Sequence, residues 1–378
     1  MLVGWITAFF VGIDLFIVAP LLPSIGDDLG MAPASLAILV SAFGLAYAVT
    51  CPVLGYVAER IGARKVLCLG LASLGAANLY TAMAPDLHHL LASRWLAGMA
   101  AASTTPMVYA LAAERSRPER RGSSLALVNS GLVLALVGGA PLGLLLGQVS
   151  GWRDVFAALG VLFIVMLPVH LATWRFSRHA AAPVAPSGDC AGQLGVGVRI
   201  LVCTGLWSAS VYAAYTLLGT AIREEFGAST GVVAAALAAF GIGATAGGLA
   251  GGKLADRWGS RRFVRLSLVA MCVCLTLTGL TFPAGGLPTL AAALFLIALA
   301  SYGFFPALQS YASAAMPARR KMILGFMSSA LYLGIAAGSS AGAAIYSASG
   351  YRMVLAASTA TALLGLLVSA QLRQRLDQ

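Results

Sequence analysis

The 378-residue chain is 60% hydrophobic and only 10% charged, with a mean hydropathy of +0.89. That balance excludes a water-soluble globular domain, whose composition is far more polar. The net charge of +11 would fit a nucleic-acid binder only if the basic residues formed one patch or stripe, and they do not.

Apolar runs of about 18–25 residues recur from end to end, the length a helix needs to cross roughly 30 Å of hydrocarbon. Twelve are predicted, over about residues 2–25, 34–58, 65–84, 88–113, 121–149, 152–174, 196–222, 229–255, 262–283, 286–315, 321–349 and 351–372. The first begins almost at Met1 with neither a basic leader nor a small-residue cleavage pattern, so it reads as a retained helix. Residues 175–195, rich in Pro, Gly and Ala, are expected to form a flexible cytoplasmic linker between an N-terminal six-helix bundle (1–174) and a C-terminal one (196–378). The predicted class is an all-α integral membrane protein.

The basic residues alternate with this topology. Arg60, Arg64, Lys65, Arg115, Arg117, Arg120, Arg121, Arg175, Arg178, Arg199, Lys253, Arg257, Arg261, Arg262, Arg265, Arg319, Arg320, Lys321, Arg373 and Arg375 follow even-numbered spans or flank those loops, while Arg153, Arg223 and Arg352 fall near the opposite ones. The positive-inside rule then places both termini in the cytoplasm, with anionic lipid as the neighbour of the charge. The six cysteines show no metal-ligand spacing and read as packing residues, and the four histidines form no metal motif.

A charged turn is written twice. Gly55, Ala58, Glu59, Arg60, Gly62, Arg64 and Lys65 correspond at constant offset to Gly252, Ala255, Asp256, Arg257, Gly259, Arg261 and Arg262. "PERRG" (118–122) echoes "PARRK" (317–321), and "GWRDV" (151–155) echoes "GYRMV" (350–354). Two homologous halves explain the three echoes together. Glu59 and Asp256 stand at helix C-termini, and Arg64 and Arg261 at helix N-termini, where the dipole disfavours each. Local helix stability therefore does not explain them. An acid there fits if it meets Arg60, Arg64 or the positive end of another helix, although charges that only solvate a loop remain the alternative. Gly62 and Gly259 suit turns of positive φ, and Gly55 and Gly252 suit close helix approach.

These two runs resemble the G-x-L-A-D-R-x-G-R-[RK] loop of the major facilitator superfamily of secondary transporters, with Glu59 in place of the usual Asp. The resemblance covers nearly the whole chain. It implies a cytoplasmic gate formed by Gly55, Glu59, Arg60, Gly62 and Arg64 with Gly252, Asp256, Arg257, Gly259 and Arg261. "RWLAGMAAASTTP" (94–106) resembles the fourth-helix motif through Arg94 and Gly98. "GLVLALVGGAPLG" (131–143) is similar to the fifth-helix motif of proton-coupled antiporters through Gly131, Gly138, Gly139, Pro141 and Gly143, with Ala140 replacing the glycine before the proline. Those glycines would equally serve helix packing. The variant reads most like the branch of sugar, nucleoside and chloramphenicol-type exporters.

Asp14 and Arg94 are the ionisable residues predicted well inside the membrane, where each costs about 2.5–3.5 kcal/mol at a helix centre. Their expected depths are similar, so they could pair. Three roles stay open: a proton switch at Asp14 tuned by Arg94, a structural brace between the first and fourth helices, or a contact for a cationic substrate. The superfamily's geometry implies a substrate cavity drawing on Tyr109, Asn129, Trp207, Tyr212, Tyr215, Gln309, Tyr311 and Tyr332, which suits a neutral or moderately apolar solute. The expected function is proton-coupled export by a monomer in a bacterial cytoplasmic membrane, with no cofactor and the proton gradient as energy source. Proton-coupled uptake, facilitated diffusion and a non-transporting receptor are the alternatives. An enzyme is not expected, because no nucleophile and base, metal set or carboxylate pair can be assembled, and no P-loop is present.

Overall fold

The computed structural model describes residues 1–117, 121–174 and 190–372, apart from the side chains of residues 59, 121–123, 126, 190–193, 318, 320 and 321. Among the described residues the regular elements are all helical, as hydrocarbon requires of any open chain whose backbone must satisfy its own hydrogen bonds. The first half runs α1 (Leu2–Leu29), α2 (Ile38–Ile61), α3 (Ala63–Met83), α4 (Leu87–Arg115), α5 (Arg121–Leu134, π-helical Ala135–Gly139, then Ala140–Ser150) and α6 (Trp152–Thr173). The second runs α7 (Cys190–Thr216, continued by Leu218–Phe226), α8 (Thr230–Trp258), α9 (Ser260–Thr281) and α10 (Gly286–Tyr302 with Phe304–Ala315). A last helical stretch, Arg320–Ala370, supplies α11 (residues 320–349) and α12 (351–370) on either side of Gly350.

Eleven continuous helices among the described residues are long and apolar enough to cross a membrane. The eleventh spans 49 residues, about 74 Å at 1.5 Å per residue, which is more than twice the hydrocarbon thickness. It makes two crossings. Gly350, at φ 77° and ψ 176°, breaks it, and the chain returns along α7: Ser210 of α7 donates to the Ser358 carbonyl beyond the break, while a Cβ at Gly338 before it would strike the backbone of Ala209.

The expected linker ends earlier than its composition suggests. Its residues 175–189 lie outside the described residues, but α7 already starts at Cys190. The last proline of the stretch is Pro186, so nothing beyond it bars the apolar helix from extending toward its N-terminus.

The fold divides into two compact units, one over residues 1–181 with 228–238, the other over 182–227 with 239–378. In the first, α4 packs on both α2 and α3, α3 packs on α6, and α1 packs on α5; in the second, α7 packs along the α11–α12 hairpin and α9 along α12 and α10. Two of the sequence echoes correspond to similar backbone devices; residues 118–120 of the third lie outside the described residues. Gly62 (φ 93°, ψ 138°) and Gly259 (φ 86°, ψ 131°) join α2 to α3 and α8 to α9. Gly151 (φ 93°, ψ 153°) joins α5 to α6 as Gly350 joins α11 to α12, each followed by a buried aromatic residue, Trp152 or Tyr351. Only glycine occupies that backbone region at low cost.

Arg153 then ties one end of the first unit together. Its guanidinium pairs with Asp28 at the end of α1, donates to the Ala84 carbonyl before α4, and covers the Trp152 ring at 4.3 Å. Beside it, Asp86 caps α4 by accepting from the His89 backbone N–H at 3.0 Å. That bond, with the His89 ring, holds the Asp86 carboxyl below its ordinary value.

Since an added Cβ at Gly350 would meet no atom within 4 Å, Gly350→Ala isolates the backbone cost. It is expected to lower unfolding stability by about 1–3 kcal/mol, read as a fall in Tm in detergent.

Candidate functional site

The site is built on α4. One turn beyond Arg94, Gly98 lets α4 close on α2; a Cβ there would strike the Phe43 carbonyl oxygen and sit 2.9 Å from the Ala46 Cβ. This approach lays the Arg94 guanidinium 4.9 Å from the centre of the Phe43 ring and 5.6 Å from that of Phe156 on α6. Arg94 Nη1 donates to Asp14 Oδ1 at 3.0 Å, and Nη2 reaches the Asp14 backbone oxygen at 3.4 Å. The two side chains are 1% and 0% exposed, so the pair lies wholly inside the first unit. Asp14 Oδ2 and Arg94 Nε are buried without a hydrogen-bond partner. Each charge is stabilised by the other, and the Arg94 cation also by aromatic faces, and removal of either strands its partner in a medium where an isolated ion is very costly.

The fifth-helix glycines position α1, which carries Asp14. A Cβ at Gly131 would strike the Trp5 carbonyl oxygen, one at Gly139 the Ile13 side chain, and one at Gly143 the Ile17 side chain. They are a close-packed seam beside Asp14. Gly138 is the exception, with only the Leu142 side chain at 4.0 Å. Pro141 lacks a backbone N–H, and the helix widens just before it: the Ala140 N–H bonds to Ala135 O, a five-residue π step of the kind found at functional sites. The same seam recurs 199 residues on, where Gly338 and Gly342 of α11 press on Ala209 and Ala213 of α7.

His170, which the sequence gave no reason to single out, is wholly buried near the end of α6. Trp174 Nε1 donates to His170 Nδ1 at 2.6 Å, and Nε2 lies 2.7 Å from Thr7 Oγ1 on α1. An indole N–H can only donate, so Nδ1 is the acceptor and the neutral ring donates from Nε2 to Thr7, whose hydroxyl donates to the Val3 carbonyl. Thr7 and Asp14 are seven residues apart on one face of α1, so this network fixes the helix two turns from the ion pair.

The predicted cavity residues separate into distinct settings. Tyr109 donates to Asn129 Oδ1 at 3.0 Å, linking α4 to α5. In the second unit Tyr212, Tyr215 and Tyr332 are buried; Tyr212 and Tyr302 hydrogen-bond to each other with Tyr332 nearby, and Tyr215 and Tyr302 both lie against Phe240. Trp207, expected to line the cavity, instead stacks on Phe304 and Phe305 at 5.3 and 5.6 Å, and its N–H donates to the Ser301 carbonyl. The cause lies in α10. Pro306 removes the donor for the Tyr302 carbonyl, the helix is interrupted at Gly303, and Trp207 and Ser267 donate to the neighbouring carbonyls of Ser301 and Ala300. Gln309 is half-buried on the next turn. Tyr311 falls among Arg199, Arg261 and Arg265 rather than with the other tyrosines.

At the repeated turn, Arg60 bonds to the Tyr56 hydroxyl and covers its ring at 4.5 Å. Arg64 Nη2 donates to the Leu171 carbonyl at 2.6 Å, satisfying the C-terminal end of α6. In the second unit the same task, at the Ala370 carbonyl of α12, falls to Arg265, one turn beyond Arg261. The Glu59 side chain lies outside the described residues; Asp256 and Arg257 are exposed. A Cβ at Gly55 or Gly252 would meet no atom within 4 Å, so neither marks a close helix approach within its unit.

A duplicated, all-helical membrane protein with a buried ion pair in its first half and a charged glycine turn in each half is a carrier-type architecture. The family model described as Major Facilitator Superfamily matches residues 4–199 and 200–375, and the chain belongs to that superfamily. Its members are transporters rather than enzymes. The inner membrane transport protein YdhP of Escherichia coli K12 is 28% identical over 92% of this chain and 89% of its own length. A chloramphenicol resistance protein of Streptomyces lividans is 28% identical over 65% of this chain and 64% of its own. The chain spans 65% and 63% of the length of two Bacillus subtilis MFS-type transporters that it also matches. The crystal structure of a bacterial homologue of the human lysosomal transporter Spinster superposes with a TM-score of 0.78 at 16% identity, covering 98% of this chain and 96% of that one.

Arg94→Met is expected to cost about 3–5 kcal/mol by stranding Asp14, and the Asp14→Asn/Arg94→Met double variant less, as measured by thermal unfolding in detergent. His170→Phe, which leaves the Trp174 N–H unpaired and removes the bond that Thr7 accepts, should cost about 1–3 kcal/mol by the same assay, whereas His170→Gln keeps an acceptor and a donor and should cost less.

Proposed function

We propose that the chain is a proton-coupled antiporter that exports a small neutral or moderately apolar solute by alternating access. The observation that carries this reading is the buried Asp14–Arg94 pair with Asp14 Oδ2 unpartnered. A proton arriving on that oxygen neutralises the carboxylate and leaves Arg94 as an uncompensated buried cation, which costs several kcal/mol. A cost of that size can tip a carrier between two states that differ by a few kcal/mol. Loss of the proton restores the pair.

In this scheme Asp14 takes its proton from outside and releases it to the cytoplasm while solute moves outward, and Arg94 sets when release occurs. The duplicated turns act as a cytoplasmic latch, with Arg64 and Arg265 fixing the ends of α6 and α12 behind them. The tyrosines near α7 and α10 and the Tyr109–Asn129 pair offer aromatic faces and uncharged hydrogen bonds, which favour an uncharged solute. The resistance protein among the relatives supports efflux over uptake. The chain would sit in a bacterial cytoplasmic membrane with both termini inside, work as a monomer, and need no cofactor.

Expressed in an efflux-deficient bacterium, the wild type is expected to raise tolerance to at least one member of a panel of drugs, nucleosides and sugars. Asp14→Asn, at equal membrane level, should lose that tolerance. In proteoliposomes the variant should also lose proton-driven accumulation. Full activity of Asp14→Asn would leave the pair a structural brace.

A further inference from the structure

Helices α2 and α3 are consecutive in the chain, yet α2 packs mainly on α4, α3 packs on α4 and α6, and the two pack little on each other. Their divergence leaves an elongated groove of about 580 Å³ floored by α4. Its lining is small or apolar: Leu54 and Val57 of α2, Leu69, Ser73 and Ala76 of α3, and Met99 of α4. Along α3 it runs from Val66 to Tyr80, about 21 Å at 1.5 Å per residue, which exceeds the ~15 Å hydrocarbon depth of one leaflet. Leu69 and Leu96 on its walls are 62% and 45% exposed. No polar substrate would gain from such a lining.

The charge at one end selects the occupant. On α3 the groove stripe through Ser73 and Leu69 continues, four residues on, to Lys65, which is exposed. On α2 the stripe Thr50, Leu54, Val57 and Ile61 ends at the same turn, where Arg60 turns away onto the Tyr56 hydroxyl and ring. The groove is thus a long apolar slot with the Lys65 cation at the mouth formed by the α2–α3 turn, matching an acyl chain joined to a phosphate. Each basic residue near an anionic headgroup is worth about a fivefold gain in binding.

We propose that this groove binds one anionic phospholipid, its acyl chain along α3 between α2 and α4 and its phosphate at Lys65. The site rests on the membrane setting of the helices and not on the transport reading.

The test reconstitutes the protein in nanodiscs of equal parts phosphatidylglycerol and phosphatidylethanolamine, extracts it into mild detergent, and counts retained lipids by native mass spectrometry. The wild type is expected to keep one phosphatidylglycerol. Ser73→Trp, which fills the groove from an exposed position, should lose it, while Lys65→Gln should keep a lipid with its preference for phosphatidylglycerol reduced about fivefold. Thermal unfolding in lipid-free detergent checks that Ser73→Trp folds; added phosphatidylglycerol should then raise the Tm of the wild type and not of this variant. Retention of the same lipid by folded Ser73→Trp, an unchanged preference in Lys65→Gln, or no retained or preferred lipid in the wild type would each overturn the proposal. Asp14→Asn should retain the lipid as the wild type does, so failure of the proton scheme and failure of the lipid site give different results.

Discussion

A guanidinium and a carboxylate held together inside an apolar bundle are the constraint on which the first unit depends. Neither ion is tolerable there alone, so the helices that carry them must hold a fixed depth and rotation. Gly98 brings α4 against α2, the glycine seam of α5 holds α1 beside Ile13 and Ile17, and Phe43 and Phe156 supply the faces that cover Arg94. At the other end of the same face of α1, Thr7 is fixed by a histidine whose tautomer is set by Trp174. The small residues and the polar network therefore act on one quantity, the placement of α1.

The second unit keeps the scaffold and drops the charge. Gly12 meets α5 as Gly205 meets α11, and two residues further along stand Asp14 in one half and Trp207 in the other. Where Asp14 binds a guanidinium from α4, Trp207 donates to the Ser301 carbonyl, just before the interruption of α10. Duplication has preserved backbone devices (positive-φ glycines, close-packed seams, arginines on the last carbonyls) because those depend on helix geometry. The side chains facing the interior diverged, leaving one half with a titratable centre and the other with aromatic rings and hydroxyls.

Much of the architecture was legible because hydrocarbon leaves a signal in composition and length, and because repeated turns need the same glycines. The pairing of Asp14 with Arg94 was legible for a similar reason: two intramembrane charges at similar depth have few other partners. His170 was not, since an isolated histidine near a helix end looks the same whether it faces lipid, water or a threonine on another helix. The Trp207 bond to the Ser301 carbonyl was not legible either, because a helix number indicates which way a span faces only on average. Arg265 was overlooked because alignment points to Arg261, and the working residue lies one turn along. In each case the deciding fact was a three-dimensional neighbour that no spacing encodes.

The single-glycine junctions at Gly151 and Gly350 bear on how the protein is made. With no polar loop between α5 and α6, or between α11 and α12, neither member of a pair has a hydrophilic segment that must be carried across the bilayer by itself. Each pair can leave the ribosome as a closed hairpin whose two strands of hydrocarbon-compatible helix enter the membrane in one event. A polypeptide built this way limits the time that its most apolar stretches spend exposed during synthesis.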